Sequence, residues 1–563
     1  MSHYRERRKM RNFLTIVLAI LVSIALLGAV AVMLVPKGPI ILLPTVDSTD
    51  TSTDTNTDTN TDTNTDINGG TNDNMNDDTN DDPNSGIGPQ TPPIIQVEDV
   101  EDLTEALTNL EDGATISIPS TISLTEPLNI ADKDVTFIFS EDFNQPVSVE
   151  LNEGTLTILN GYFNGIDIGG KGTVILNNVM SEALEEGDSG LALLEGADVT
   201  VKIVGSVSLI GAKDGDGIEV PEGTKLVLTG ENLVAVGNNG LEYTGIEGYD
   251  NTDDETYMNK RGSGIGNATK NIGSLLIKDM ASLTAKGYGN KAFGIGGGDK
   301  SVVTIENTVI EYAKGGFAQD KFIASDLSYG KKEAEGGCAI GVGCGVDGDY
   351  DSGTLIMKNV TVKRAEGGSK SAAIGALYWT AVDITIQNCN FDNVIGGTAS
   401  AGIGGSRVYK NVSKDQYVNI HIDNSTINVT GGQYGAGIGS GYDCYCQTDY
   451  GVCYIEITGA NTVINAQGGI NAAGIGTGHH SAGLAGYISV ECNITANAGE
   501  MFVYEDSYTQ PQDIGYGMCK PNNELANVAL VFDIQGTVVE QPLTLPLPED
   551  NDVPGIDDNI QEV

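Results

Sequence analysis

The chain has 563 residues, enough for one large core or roughly two to three ordinary domains. Its formal net charge of -47 argues against nucleic acid as a partner, because phosphates call for a basic surface. With 74 Gly, 11 Phe and a single Trp, the composition suits a turn-rich β architecture better than a helical one.

Residues 1–11 form a basic tail, with Arg5, Arg7, Arg8, Lys9 and Arg11 against one acid, Glu6. An uncharged, largely apolar run fills 12–36. A span of about 20 apolar residues crosses a bilayer as a helix, and flanking cations hold their end in the cytoplasm. The expectation is a single-pass anchor with the N-terminus inside and the rest extracellular. A cleaved signal peptide is the alternative, since Ala29-Val30-Ala31 resembles a cleavage site; the run nevertheless continues through Met33, Leu34 and Val35.

Residues 37–93 read as a disordered linker rich in Thr, Asp and Asn, with Asp54, Asp58, Asp62 and Asp66 recurring every four residues. Such a stretch has too few apolar side chains to offset its ordering entropy, so it serves as an extended stalk. The ordered domain is expected over 94–539. It opens with a helix between Val97 and Leu110 that places Val100, Leu103, Ala106, Leu107 and Leu110 on one face. Gly113 ends this helix, and strands at Thr115–Ile118 and Thr121–Leu124 follow.

Internal repetition dominates the rest. Gly-Ile-Gly or Ala-Ile-Gly triplets centre on Ile265, Ile295, Ile340, Ile374, Ile403, Ile438 and Ile475. Gly-Gly pairs at 315–316, 367–368, 396–397, 431–432 and 468–469 precede several of them. Between these marks lie alternating strands such as Val303-Thr304-Ile305, Ile384-Thr385-Ile386, Ile420-His421-Ile422 and Ile455-Glu456-Ile457, and then a second strand such as Thr426–Thr430. No such unit buries its apolar face alone, so neighbours must stack. A polar register follows the first strand at Asn160, Asn177, Asp279, Asn307, Asn359, Asn388 and Asn424, which reads as a corner ladder of side-chain amides. The reading is all-β: three-strand coils with an N-terminal capping helix.

These repeats, the ladder and the helical cover resemble the right-handed parallel β-helix of the pectate-lyase-like superfamily. The Ile-Gly triplets resemble those of adhesin-like surface proteins of Gram-positive bacteria. The resemblance implies a right-handed parallel β-helix over about Val97 to Val539 and leaves function open, because this fold hosts lyases, hydrolases and non-catalytic binders alike. Polygalacturonase-like members carry Asn-Thr-Asp, Asp-Asp, Gly-His-Gly and Arg-Ile-Lys motifs, and none is intact here. Asp253-Asp254 runs into Glu255, and Gly478-His479-His480 lacks the closing Gly.

The loops after the Ile-Gly triplets carry Tyr378, Trp379, Arg407, Tyr409, Tyr442, Tyr445 and Tyr450, besides His479-His480. Stacking would bring these loops to one flank, where aromatic faces beside polar groups suit sugar rings. Loop-base packing is the alternative. Asp347, Asp349 and Asp351 alternate in a Gly-bearing loop that resembles the first half of a calcium loop, without its closing Glu; an acidic surface loop is the expectation, a structural Ca2+ site the alternative. Among eight Cys, Cys338 and Cys344 are near enough for a disulfide, whereas Cys389 reads as a buried thiol. Residues 540–563 form an acidic, Pro-containing tail. The functional expectation is an anchored, non-catalytic binder of extracellular glycan or host surface that needs no cofactor. A polysaccharide lyase or glycoside hydrolase and an envelope spacer are the alternatives.

Overall fold

The computed structural model describes residues 93–240, 261–267, 270–298, 300–316, 336–343, 352–377, 380–406, 417–442, 452–479, 481, 485–501, 510–518 and 530–539. The basic tail, the apolar run 12–36, nearly all of the linker and the tail 540–563 lie outside them. No helix among the described residues is long and apolar enough to cross a membrane.

The strands wind through three ladders. The first-sheet strands of the later coils are Val302–Glu306, Ser352–Lys358, Ala381–Gln387, Tyr417–Asp423, Val452–Thr458, Ala485–Val490 and Leu530–Ile534, each paired in parallel with the next. A second sheet stacks Val309–Lys314, Asn390–Ile395, Thr426–Thr430, Val463–Gln467 and Ile494–Asn497, with the short pieces Thr361–Val362 and Ala365–Glu366 between the first two. The third holds the triplets. Ile265, Ile295, Ile340, Ile374, Ile403, Ile438 and Ile475 pair one to the next in register, and the column extends back to Ile218 and on to Ile514. The result is an all-β parallel solenoid. Among the described residues, one strand pair departs from parallel, Arg261–Gly262 against Tyr288–Gly289.

Alternation decides which side chains enter the core. Ile384 and Ile386, Ile420 and Ile422, and Ile455 and Ile457 point inward and are buried. Each such side chain gains about 2–3 kcal/mol by leaving water, and it does so only because the coils on either side close over it. The main core cluster runs from Val97 to Ala496, with a small second one of Phe293, Cys338 and Leu377.

The glycine after each Ile of the triplets answers a steric demand. At Gly404 φ is 129°, and an added Cβ would lie 2.1 Å from the carbonyl oxygen of Gly439 in the next coil. At Gly439 the same contact, to Gly476, would be 1.9 Å. A side chain there would collide with the backbone of the neighbouring turn.

The corner ladder is present with one correction. Asn160, Asp279, Asn307, Asn359, Asn388 and Asn424 all have φ of 46–56°, the left-handed region that Asn and Asp tolerate. In the remaining coil Asn178, not Asn177, holds the corner with φ 52°. Leu176 is the last inward residue there, and a period of two then places 178 at the bend. Asn307 donates to Asp279 at 3.0 Å and Asn359 to Asn307 at 2.9 Å, so the amides bond from coil to coil.

The capping helix α1 is Val100–Thr108, with Asp99 as N-cap accepting from Asp102 N–H at 2.9 Å. Leu103 and Leu110 are buried and Ala106 and Leu107 pack on the core, but Val100 stays 48% exposed; Val97, just upstream, makes the core contact instead. A short strand, Ile94–Gln96, precedes the helix and pairs with Ala114–Ile118. Thr121–Leu124 is not a strand. It follows Pro119, and the Ile122 N–H bonds back to that proline's carbonyl, closing a local turn. Cys389 is a buried thiol held up to about 11 by burial. Cys338 is likewise a free thiol, sealed against Phe293 and Leu377, with burial pushing its pKa well up; its candidate partner Cys344 lies outside the described residues.

Candidate functional site

Of the loop residues expected to bind, Tyr442 is the one within the described residues. Tyr378, Trp379, Arg407, Tyr409, Tyr445 and Tyr450 lie outside them, as do Asp347, Asp349 and Asp351. Tyr442 joins Tyr434 and His479 in a three-ring cluster with centroids 5.4–5.5 Å apart. Tyr434 and His479 are each only 6% exposed. The Tyr434 carbonyl accepts the His479 N–H at 2.9 Å, and Tyr442 N–H donates to Ala399 at 2.9 Å. These rings spend most of their faces on one another and secure the loop bases of adjacent coils.

Carboxylates gather elsewhere, where the third sheet begins. Asp167 and Glu219 point outward from strands two steps apart, with Ala192 between them in register. Ser189 Oγ donates to Glu219 at 3.3 Å and accepts the Asp216 N–H at 3.2 Å. The carboxylate of Asp216 accepts the Ser263 N–H at 2.5 Å. Burial pushes the pKa of Asp216 well up, and Glu219 adds to this, while Arg261 works against it. Glu219 and Asp167 are raised as well, again by burial first. At 7% exposure Asp216 is too enclosed to meet a polymer, so it belongs to the wall. Among the described residues no three His, Cys, Asp or Glu are grouped to hold a metal ion.

Among the described residues, the outer face of the first sheet carries a row of exposed aromatic and polar side chains. Alternation turns Tyr454 outward between the buried Cys453 and Ile455, and Tyr487 pairs with it in register on the next strand. Adjacent strands lie about 4.8 Å apart, so the two rings are neighbours. Tyr454 is 47% and Tyr487 36% exposed, both among the few large apolar surfaces left to solvent. Asn419 and Asp383 continue the row on the preceding coils, joined by an Asn419 amide donating to Asp383 at 2.9 Å. A parallel row two residues along holds Thr385, His421, Glu456, Ser489 and Asp533. In it, His421 Nδ1 meets Glu456 at 3.0 Å. Across the rows, the Tyr487 hydroxyl donates to Asp533 at 3.3 Å. The arrangement is two tyrosines on neighbouring strands with acceptors and donors beside them, carried by the parallel sheet.

Sequence reasoning sought the aromatics in loops and missed this pair. The signal was the strand Cys453-Tyr454-Ile455-Glu456-Ile457, whose even positions must face out if Ile455 and Ile457 face in. No protein-family model, curated protein or solved structure matches this chain.

Proposed function

We propose that the protein is a membrane-anchored, cell-surface solenoid that binds extracellular carbohydrate, free or on a host surface, without chemistry of its own. The hand of the coil is proposed to be right, the sense that parallel crossovers almost always take. The observation that carries the reading is the exposed, in-register pair Tyr454 and Tyr487 with Asp383, Asn419, His421, Glu456 and Asp533 around it. Phenol rings pack on the apolar faces of sugars, while amides and carboxylates take up the hydroxyls. The three carboxylates disfavour an acidic sugar at this face, so the ligand class is a neutral glycan. The apolar run 12–36 and the Asp-rich linker would hold the solenoid out from the membrane.

One observation favours a second reading, glycoside hydrolysis. Asp167 and Glu219 share an outer face at about 10 Å between backbones, both with raised pKa. Inverting enzymes hold their two carboxyl groups about 6.5–9.5 Å apart, a separation that side chains two strands apart on one face are able to adopt. A neutral-glycan array probed with the full chain, followed by an assay for released reducing ends, separates the two. Binding without release is expected. Release that disappears in Glu219→Gln would overturn the binder and establish the hydrolase.

A further inference from the structure

The second sheet of the earlier coils presents an outer face that is apolar at its centre. Successive strands set Met180, Ser208, Val234 and Thr284 in one register row, and Glu182, Ile210, Val236 and Lys286 in the row two residues along. The residues between the rows, Ser181, Leu209, Ala235 and Ala285, are buried, so alternation turns both rows to solvent. Met180 is 38% and Val234 40% exposed, and Leu184, two residues past Glu182, is 65% exposed. Ser206, Asn232 and Ser282 border the rows on the corner side. These rows carry two charges, Glu182 at one end and Lys286 at the other. A net charge of -47 holds copies of the chain apart over most of the surface, and a face of balanced charge is where two copies can approach.

Both end groups are held in place. Glu182 accepts the Tyr162 hydroxyl at 3.0 Å, and Lys286 Nζ lies 5.1 Å from the centre of the Tyr312 ring. These contacts orient the side chains and leave their charges intact. Three strand spacings, about 14 Å, separate the two groups, so they do not pair within one chain. Two copies facing each other through this sheet are related by a two-fold axis lying in the plane between them. An axis along the solenoid brings like charges together, Glu182 beside the second copy's Glu182. An axis along the strands, midway between Ile210 and Val236, lays the two solenoids antiparallel. Glu182 then faces the second copy's Lys286 at both ends, and Ile210 faces its Val236 at the centre.

We propose that this face is an isologous interface between two copies of the chain, packed antiparallel through the second sheet between Tyr162 and Tyr312. Facing sheets sit about 10 Å apart with their side chains interdigitated, so the apolar centre leaves water while the charged ends pair at the rim. Six coils at about 4.8 Å each, by a strand width of about 17 Å, give roughly 500 Å2 per copy. That is the small end of specific interfaces and fits a reversible dimer in the micromolar range. The face lies on a different sheet from Tyr454 and Tyr487 and on other coils, so the proposal goes beyond the glycan reading above and does not depend on it.

The test is sedimentation velocity of the full chain, in neutral detergent with micelles in excess, over about 1–100 µM. A concentration-dependent equilibrium between monomer and dimer is expected. Val234→Asp should weaken it by at least about tenfold, because a carboxylate would be buried at the centre without a partner. Glu182→Lys alone and Lys286→Glu alone should each weaken it by about fivefold or more, since each sets like charges against one another at both ends. Mixing these two single variants should recover the parent's affinity, because every Lys then meets a Glu. Tyr454→Ala with Tyr487→Ala should leave the association unchanged. Should Val234→Asp lower the melting temperature, the mixing result decides alone. The proposal is overturned if the full chain forms no dimer in that range, if a stable Val234→Asp variant dimerises as the parent does, or if the mixture associates no more tightly than either single variant.

Discussion

The coils before residue 240 and those after residue 261 build the same three ladders by different means. In the earlier coils and the first of the later ones, strands run on through the corner as long strands, Val147–Phe163, Ile166–Glu182, Asp198–Ile210, Lys225–Val236 and Ser274–Lys286, and beyond these the first and second strands are separate. Phe137, Phe139, Phe143 and Phe163 fill the core near their start, with ring centroids 4.6–6.1 Å apart along the chain of contacts. The residue after the third-sheet apolar anchor in the earlier coils is Asp167, Ala192 or Glu219. In the later coils that place is Gly266, Gly296, Gly341, Gly375, Gly404, Gly439 and Gly476. The difference teaches that the repeat motif is a consequence of backbone conformation at the third sheet. Where φ is positive, as at Gly404 and Gly439, a Cβ would run into the carbonyl of the next coil and glycine is required; Asp167, Ala192 and Glu219 are not in that region, and their positions are free to carry side chains.

The largest effect should come from filling the tight column. Gly404→Ala puts a Cβ 2.1 Å from the Gly439 carbonyl at a φ of 129°. We expect a loss of at least about 3 kcal/mol, or local unfolding of the adjacent coils, read by denaturant melts and limited proteolysis. Glu219→Ala at the matching place in the earlier coils should change stability by less than about 1 kcal/mol. Equal effects at the two would erase the distinction.

Ile438→Ala should cost about 2–5 kcal/mol, because Ile438 is wholly buried between Ile403 and Ile475 and its neighbours are fixed by the ladder. At the corner, Asn359→Ala loses an amide bond to Asn307 and places Ala at φ 54°, an expected loss of about 1–2 kcal/mol. Asn359→Gly keeps the backbone conformation and should cost less. An Ala variant as stable as the Gly variant would show that left-handed strain plays no part at the corner.

The smallest effect concerns Asp216, at the junction of the two regions. Its carboxyl pKa is raised in the folded state by burial and by Glu219. The folded chain then holds this proton more tightly than the unfolded chain. Its contribution to stability is present below the unfolded value, near about 3.9, and is lost as pH rises through the raised folded value. Asp216→Asn keeps an acceptor for the Ser263 N–H and removes the charge. It should melt about 1–2 °C higher than the parent at pH 8, with the gap closing below about pH 4. A gap that widens on acidification would contradict this account of the site.

Much of the solenoid was legible because its demands recur. Every Ile of the Ile-Gly triplets sits in the third-sheet column, and the corner Asn residues follow from counting two past the last inward side chain. The slip at Asn177 shows what that counting needs, namely the identity of Leu176 as the last buried residue. The Thr121–Leu124 segment looked strand-like by alternation, but its flanking prolines had already diverted the backbone. The candidate binding face was harder to see. Tyr454 and Tyr487 become neighbours only once the length of each coil is known, and loop insertions hide that length. Outward positions carry no periodic signal of their own, since solvent accepts almost any side chain.

The central claim is that the outer face of the first sheet, and not the loop flank around Tyr442, is where a neutral glycan binds. It is tested most directly by measuring the affinity of Tyr454→Ala with Tyr487→Ala for glycans that the parent retains on the array, beside Tyr442→Ala. The account predicts a loss of about tenfold or more for the tyrosine pair with melting temperature unchanged, and little change in affinity for Tyr442→Ala. Full affinity without the pair, together with its loss in Tyr442→Ala, would contradict it.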